Sequence, residues 1–154
     1  LSGAKTNGNY INSMMALKEA LDHGFDEALM LDIEGCVSEG SGENIFVIKE
    51  GVIYTPHLTS ALPGITRDTI ITLAKSLGYE IIEKKLSCDD IYNADEAFFT
   101  GTAAEVTPIR DLDGNQIGDG TRGPVTEKLQ SLYFDCAHGR NADFLHWINN
   151  GRCL

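Results

Sequence analysis

The sequence predicts a mixed α/β (α+β) fold, and three observations carry that expectation. Two hairpin signals, Lys49-Glu50-Gly51 and Asp113-Gly114, each sit between short apolar runs. A well-marked helix covers Thr66 to Leu77, and helical stretches near each end flank the hairpin-rich middle. Hairpins and helices in this mixture fit α+β or mixed α/β layering rather than a doubly wound sheet. The 154 residues suit a single domain over 1–154, able to bury roughly 70% of its unfolded surface. No internal repeat, low-complexity tract or long linker interrupts it.

Asn9 to Leu21 reads as a helix because Tyr10, Met14, Leu17 and Leu21 recur at helical spacing before the stop at Gly24. Glu27 to Ile33 reads as a strand, Glu34-Gly35 as a turn, and Cys36 to Ser38 as a short return strand. Asn44 to Ile48 and Val52 to Tyr54 are strands, followed by a loop with two prolines from Thr55 to Gly64. Thr66 is placed to cap the next helix, Asp68 sits in its first turn, and Gly78 closes it. Ile70, Leu73, Ala74 and Leu77 form its apolar stripe. Tyr79 to Lys84 reads as a strand, and Ser87 or Asp89 starts a short helix through Tyr92. Ala97 to Thr100 is a buried strand; Val106 to Leu112 and Gln116-Ile117 make the last hairpin. Gly123-Pro124 opens a final helix to about Cys136, and Phe144 with Trp147 packs the tail.

A formal net charge of -11 argues against nucleic acid and anionic membranes as partners. An anionic ligand would need a local site of cations or backbone N–H groups. Cys36, Cys88, Cys136 and Cys153 show no C-x-x-C spacing, and the four histidines are scattered, so the expectation is reduced thiols and no metal site. Without an apolar run of membrane length or a signal-peptide pattern, the expected location is cytoplasmic.

Several residues suggest chemistry when taken together. Lys5 lies among Gly3, Ala4, Thr6 and Gly8, where a planar group can approach the backbone and a desolvated amine becomes nucleophilic. Glu39 precedes Gly40-Ser41-Gly42, where a carboxylate could keep a ring nitrogen protonated. Ile65 and Thr66 stand at a helix N-terminus, a site that favours phosphate. Gly101-Thr102 follows an apolar strand and offers a second anion contact. Tyr10 could cover a bound ring. Each has an ordinary alternative: a loop lysine, a turn acid, a plain N-cap, a strand end, a core tyrosine. A nucleophilic amine, an acid for a cationic ring and a phosphate cradle are together what pyridoxal phosphate requires.

These blocks resemble the class IV (fold type IV) pyridoxal-phosphate aminotransferases, most closely the branched-chain amino-acid aminotransferases. The resemblance rests on Ala4-Lys5-Thr6-Asn7-Gly8-Asn9-Tyr10, Glu39 to Phe46, Ile53-Tyr54-Thr55, Leu62-Pro63-Gly64-Ile65-Thr66-Arg67 and Phe98 to Ile109, in order and spacing. It implies an antiparallel-rich sheet or open barrel with packed helices, the C-terminal domain of that fold. It implies Lys5 as the Schiff-base lysine and proton carrier, Glu39 at the pyridine nitrogen, and Tyr10 beside the phenolate oxygen. Ile65, Thr66 and Thr102 would hold the phosphate, and the N–H groups of Thr102 and Ala103 the substrate carboxylate. The implied reaction is transfer of the amino group of leucine, isoleucine or valine to 2-oxoglutarate, in a homodimer or higher homo-oligomer.

Family members carry an N-terminal domain before the lysine, with a phosphate-binding arginine and much of the substrate pocket. Only Leu1 to Ala4 precede Lys5 here, so the expectation is an isolated C-terminal domain that binds cofactor weakly alone. D-amino-acid aminotransferase and 4-amino-4-deoxychorismate lyase, from the same superfamily, are the competing enzymes. A non-catalytic module is the competing class.

Overall fold

The computed structural model describes residues 10–147. Helix α1 (Tyr10–Asp22) leads into an antiparallel ribbon of β1 (Leu29–Leu31) and β2 (Val37–Gly40). Next come β3 (Asn44–Lys49), β4 (Val52–Thr55), α2 (Ile65–Ser76), β5 (Ile81–Glu83) and α3 (Cys88–Tyr92). The chain continues through β6 (Glu96–Gly101), β7 (Glu105–Pro108), the hairpin β8 (Asp111–Leu112) with β9 (Asn115–Gln116), α4 (Pro124–Ala137), and a 3-10 helix, Ala142–Trp147. The main sheet has the order β5-β4-β3-β6-β7. Only its β4–β5 pair is parallel, so the sheet is mixed but mostly antiparallel. This is the mixed α/β class expected.

Both hairpin signals produce tight turns with positive φ at the two central residues. Glu50 and Gly51 lie at 51° and 78°, Asp113 and Gly114 at 52° and 76°. That conformation matches the right-handed twist of the strands it joins.

Two cores lie on opposite faces of the sheet. On one face Phe46, Ile48 and Phe98 meet Ile70 and Leu73 of α2 and Leu129 of α4. Phe46 and Phe98 are directly opposite on β3 and β6, and their rings stack at 5.1 Å. On the other face Ile45, Val47 and Phe99 meet Val37, Leu86 and Ile91. Because β3 is covered on both sides it reads as a continuous apolar run instead of alternating.

Local signals hold in most places and fail in two. Ser87, not Asp89, caps α3, in a reciprocal box with Asp90. Pro124 takes the first turn of α4, and Phe144 packs on Trp147 at 4.4 Å. At α2, however, the N-cap is Gly64 rather than Thr66, and it makes no side-chain cap bond. The Gly64 carbonyl already accepts the Asp68 N–H at 3.1 Å, which draws Ile65 into the first helical position and leaves Thr66 in the second. The apolar stripe of α1 is also not a core face: the helix buries no residue, and Met14 and Leu21 are 67% and 55% exposed.

Arg67, third in α2, is the largest fully buried side chain among the described residues. Its guanidinium donates to Glu83 at 2.7 Å and to the Pro56 carbonyl at 3.2 Å. It thereby ties the start of the 56–64 loop and the edge strand β5 to α2. Truncation of the stacked core ring gives a direct test of this packing. Phe98→Ala is expected to cost about 3–5 kcal/mol, read as a lowered urea midpoint with unchanged slope.

Candidate functional site

The end of the sheet that carries Asn44 and Thr100 faces the start of α2. Between them lies a cleft of about 240 Å³, lined by Gly42, Asn44, the 62–66 segment and Thr100 to Thr102. Asn44 builds its wall: its side-chain amide donates to the Leu62 carbonyl at 2.8 Å. A Cβ on Gly64 would overlap the Asn44 Oδ1, so only glycine lets the helix start approach the strand this closely.

The N–H groups of Ile65 and Thr66, as the first two residues of a 12-residue helix, have no carbonyl partner within it. They and the helix dipole favour an anion. Thr66 is buried, whereas the Ile65 side chain is 85% exposed, so Ile65 offers the site only its backbone. Thr102 and Ala103 are exposed in the three-residue loop between β6 and β7. That loop closes on Glu105 at φ 54° and is pinned by the Thr107 hydroxyl donating to the Ala104 carbonyl at 2.7 Å.

Glu39 is the penultimate residue of β2, beside this cleft. The Leu62 N–H donates to its Oε2 at 2.8 Å, so Leu62 holds the acid with its N–H and Asn44 with its carbonyl. Burial raises the Glu39 carboxyl above its ordinary range, against the partly offsetting Leu62 bond. The turn after it brings a second acid close: Gly40 N–H donates to the Glu43 carbonyl at 2.6 Å, and Gly42 N–H to the Glu43 carboxylate at 3.0 Å. Burial and the adjoining Glu27 push Glu43 upward as well. Glu27 itself accepts from Ala28 and Ser41 N–H groups at 2.7 and 3.3 Å. Among the described residues no lysine or arginine pairs with any of these three acids.

Ile65, Thr66 and Thr102 therefore line one cleft, with Ala103 on the same loop and Glu39 one residue contact away. Tyr10 opens α1, half-buried, and no hydrogen bond or ring contact joins it to the cleft among the described residues. Lys5 lies outside the described residues. Sequence reasoning assigned no role to Asn44, Leu62, Glu43 or Thr100. Asn44 alone carried a signal, as a polar residue opening an otherwise apolar strand. No group of residues suited to a metal ion occurs among the described residues, and no described helix is long and apolar enough to cross a membrane.

A family model described as amino-transferase class IV matches residues 1–112. The chain is 62% identical over 147 residues to the branched-chain-amino-acid aminotransferase of Pseudomonas aeruginosa, spanning 96% of this chain and 48% of that protein. It is 50% identical over 149 residues to the Escherichia coli enzyme of the same name, with 96% and 48% coverage. The fold superposes on the crystal structure of the T.th. branched-chain amino acid aminotransferase complexed with N-(5′-phosphopyridoxyl)-L-glutamate. The TM-score is 0.94 at 49% identity, covering 96% of this chain and 50% of that one. The chain thus spans about half the length of the curated relatives it matches.

The raised Glu39 carboxyl has a consequence for stability. In the ligand-free protein the folded state holds this proton more tightly than the unfolded chain does. Stability therefore falls as pH climbs from the ordinary carboxyl value of 4.5 through the raised folded value, and stays lower above it. Glu39→Gln keeps an acceptor for the Leu62 N–H and removes the charge. It is expected to raise the melting temperature at pH 7, with the difference closing as pH drops below the ordinary carboxylate range.

Proposed function

As the chain belongs to the class IV aminotransferases, we propose that the whole protein transfers amino groups between branched-chain L-amino acids and 2-oxoglutarate with pyridoxal 5′-phosphate. The observation that carries this reading is the pairing of two unmet electrostatic needs within one site. The start of α2 favours an anion, and Glu39 is desolvated without a cation among the described residues. A ligand with a phosphate at one end and a protonated ring nitrogen at the other meets both. The names of the relatives support the branched-chain branch over D-amino-acid aminotransferase and 4-amino-4-deoxychorismate lyase.

Pyridoxal phosphate, when bound, supplies an electron sink for the pair released at the substrate α-carbon. The protein's part is binding, orientation and proton movement. The Ile65 and Thr66 N–H groups, with the Thr66 and Thr102 hydroxyls, receive the phosphate. Glu39, already oriented by Leu62, accepts from the ring N–H⁺, and its high desolvation cost turns into a strong charge-assisted bond once that cation arrives. Tyr10 would stand at the phenolate side of the ring, the role that the family resemblance implies for it. The N–H groups of Thr102 and Ala103, on the exposed β6–β7 loop, would receive the substrate carboxylate. Lys5 would be the covalent anchor and the group that moves the proton at the α-carbon.

Within this reading 1–154 is one cofactor-binding domain. A cation from the remaining half of the family length completes the phosphate site, and the assembly is a homodimer or larger. The cleft on its own offers N–H groups, hydroxyls and a helix end, since Arg67 is committed to Glu83. A charge-assisted arginine contact contributes about 1.5–3 kcal/mol, so its supply is expected to tighten pyridoxal phosphate binding about tenfold or more.

Two measurements test the proposal. Borohydride reduction of the protein mixed with pyridoxal phosphate should fix the cofactor on a peptide containing Lys5, and Lys5→Ala should abolish both adduct and turnover. A trapped peptide carrying a different lysine would remove Lys5 from this role. In a leucine–2-oxoglutarate assay at full family length, Glu39→Gln should lower turnover about ten- to a hundredfold, as expected for loss of a charged contact of about 1–3 kcal/mol. Near-normal turnover in that variant would take Glu39 off the ring nitrogen.

A further inference from the structure

We infer that the Thr100 hydroxyl is a further hydrogen-bond donor to the phosphate of the bound cofactor, an assignment that rests on the proposed cofactor reading and adds a residue to it. Thr100 lines the cleft and is 1% exposed, and its Oγ1 has no hydrogen-bond partner among the described residues. The buried hydroxyls of β2 and β4 are satisfied. Thr55 donates to the Ile45 carbonyl at 2.8 Å, and Ser38 to the Ser60 carbonyl at 2.7 Å. Thr126 shares the orphaned state but sits on α4, away from the cleft.

The sheet register aims Thr100 at the right place. It stands directly opposite Asn44, the residue that holds the 62–64 segment, and on the same face as Phe98, which packs beneath α2. Strand alternation thus turns its side chain toward the helix start that supplies the Ile65 and Thr66 N–H groups. A buried hydroxyl with no partner is a standing cost to the ligand-free fold, and valine would fill the same space without that cost. Rotation about the Cα–Cβ bond exchanges the hydroxyl and methyl positions, so a threonine lining the cleft can present its O–H once acceptor oxygens arrive.

The two states of the site make opposite demands on this residue, and this is what separates ligand contact from a structural role. Thr100→Val removes the hydroxyl at constant shape. It is expected to weaken pyridoxal phosphate binding about tenfold or more in a fluorescence titration. Binding of pyridoxal, which lacks the phosphate, should change by less than about twofold, while the ligand-free melting temperature rises by a few degrees. Thr100→Ser should return phosphate-dependent affinity toward wild type. Unchanged pyridoxal phosphate affinity in Thr100→Val, or an equal loss for pyridoxal, would overturn the assignment while leaving the cofactor reading intact. A wild-type protein that binds pyridoxal phosphate no better than pyridoxal would sink both.

Discussion

Antiparallel pairing of β3 with β6 is the constraint on which the rest of the molecule hangs. Its register puts Phe46 against Phe98 in the middle, Ile48 against Glu96 at one end and Asn44 against Thr100 at the other. Each end of β6 meets the start of a helix on the same face, and both helices begin from a glycine N-cap. At α4 the protein fills that position itself: the buried Glu96 carboxylate accepts from the Val125 and Thr126 N–H groups at 3.0 and 2.7 Å. At α2 no side chain among the described residues does so, and the corresponding space is the cleft. One strand therefore carries, at one end, a helix start met by a carboxylate and, at the other, a helix start that opens on a cleft.

The same contrast explains how a chain of net charge -11 can present an anion site at all. The cleft relies on oriented backbone donors, whose partial charges act only over the first turn, so it needs no basic surface. Acids are gathered on the turn beside it, where Glu27, Glu39 and Glu43 are held by N–H groups of Ala28, Ser41, Leu62 and Gly42. Donors are thus spent to hold these carboxylates in place, of which burial disfavours the charged form of Glu39 and Glu43. Such an arrangement is costly in the empty protein and favourable around a ligand that carries opposite charges at its two ends.

Much of this was legible in the sequence because its signals were local. The turns Glu50-Gly51 and Asp113-Gly114 required positive φ and were visible as such, and α2, α3 and α4 followed from periodicity and termini. Of the residues expected at the site, Ile65, Thr66 and Thr102 stand where the structure forms a cleft, since helix starts and glycine loops announce free donors locally. The places of Asn44, Leu62 and Thr100 at the cleft were not visible, because they come from register and from contacts across 18 residues or more, as in the Asn44–Leu62 bond. Thr66 as a cap was misplaced for a related reason. The Gly64 carbonyl starts the helix, and side-chain capping preference is weaker than the close fit of Gly64 against Asn44.

Helix α1 carries a different lesson. Its apolar spacing was correct, yet none of its 13 residues is buried among the described residues, and Ile11, Met14, Met15 and Leu21 face outward. A helix of that length that packs only through partly buried residues such as Tyr10, Ala16, Leu17 and Ala20 is near the limit at which helical order holds in water. Its amides therefore exchange with solvent through fraying of the helix alone, uncoupled from the cooperative opening that protects β3 and β6. Any surface that covered this face would slow exchange there before it altered protection anywhere in the sheet, which makes α1 a built-in reporter of what the chain is docked against.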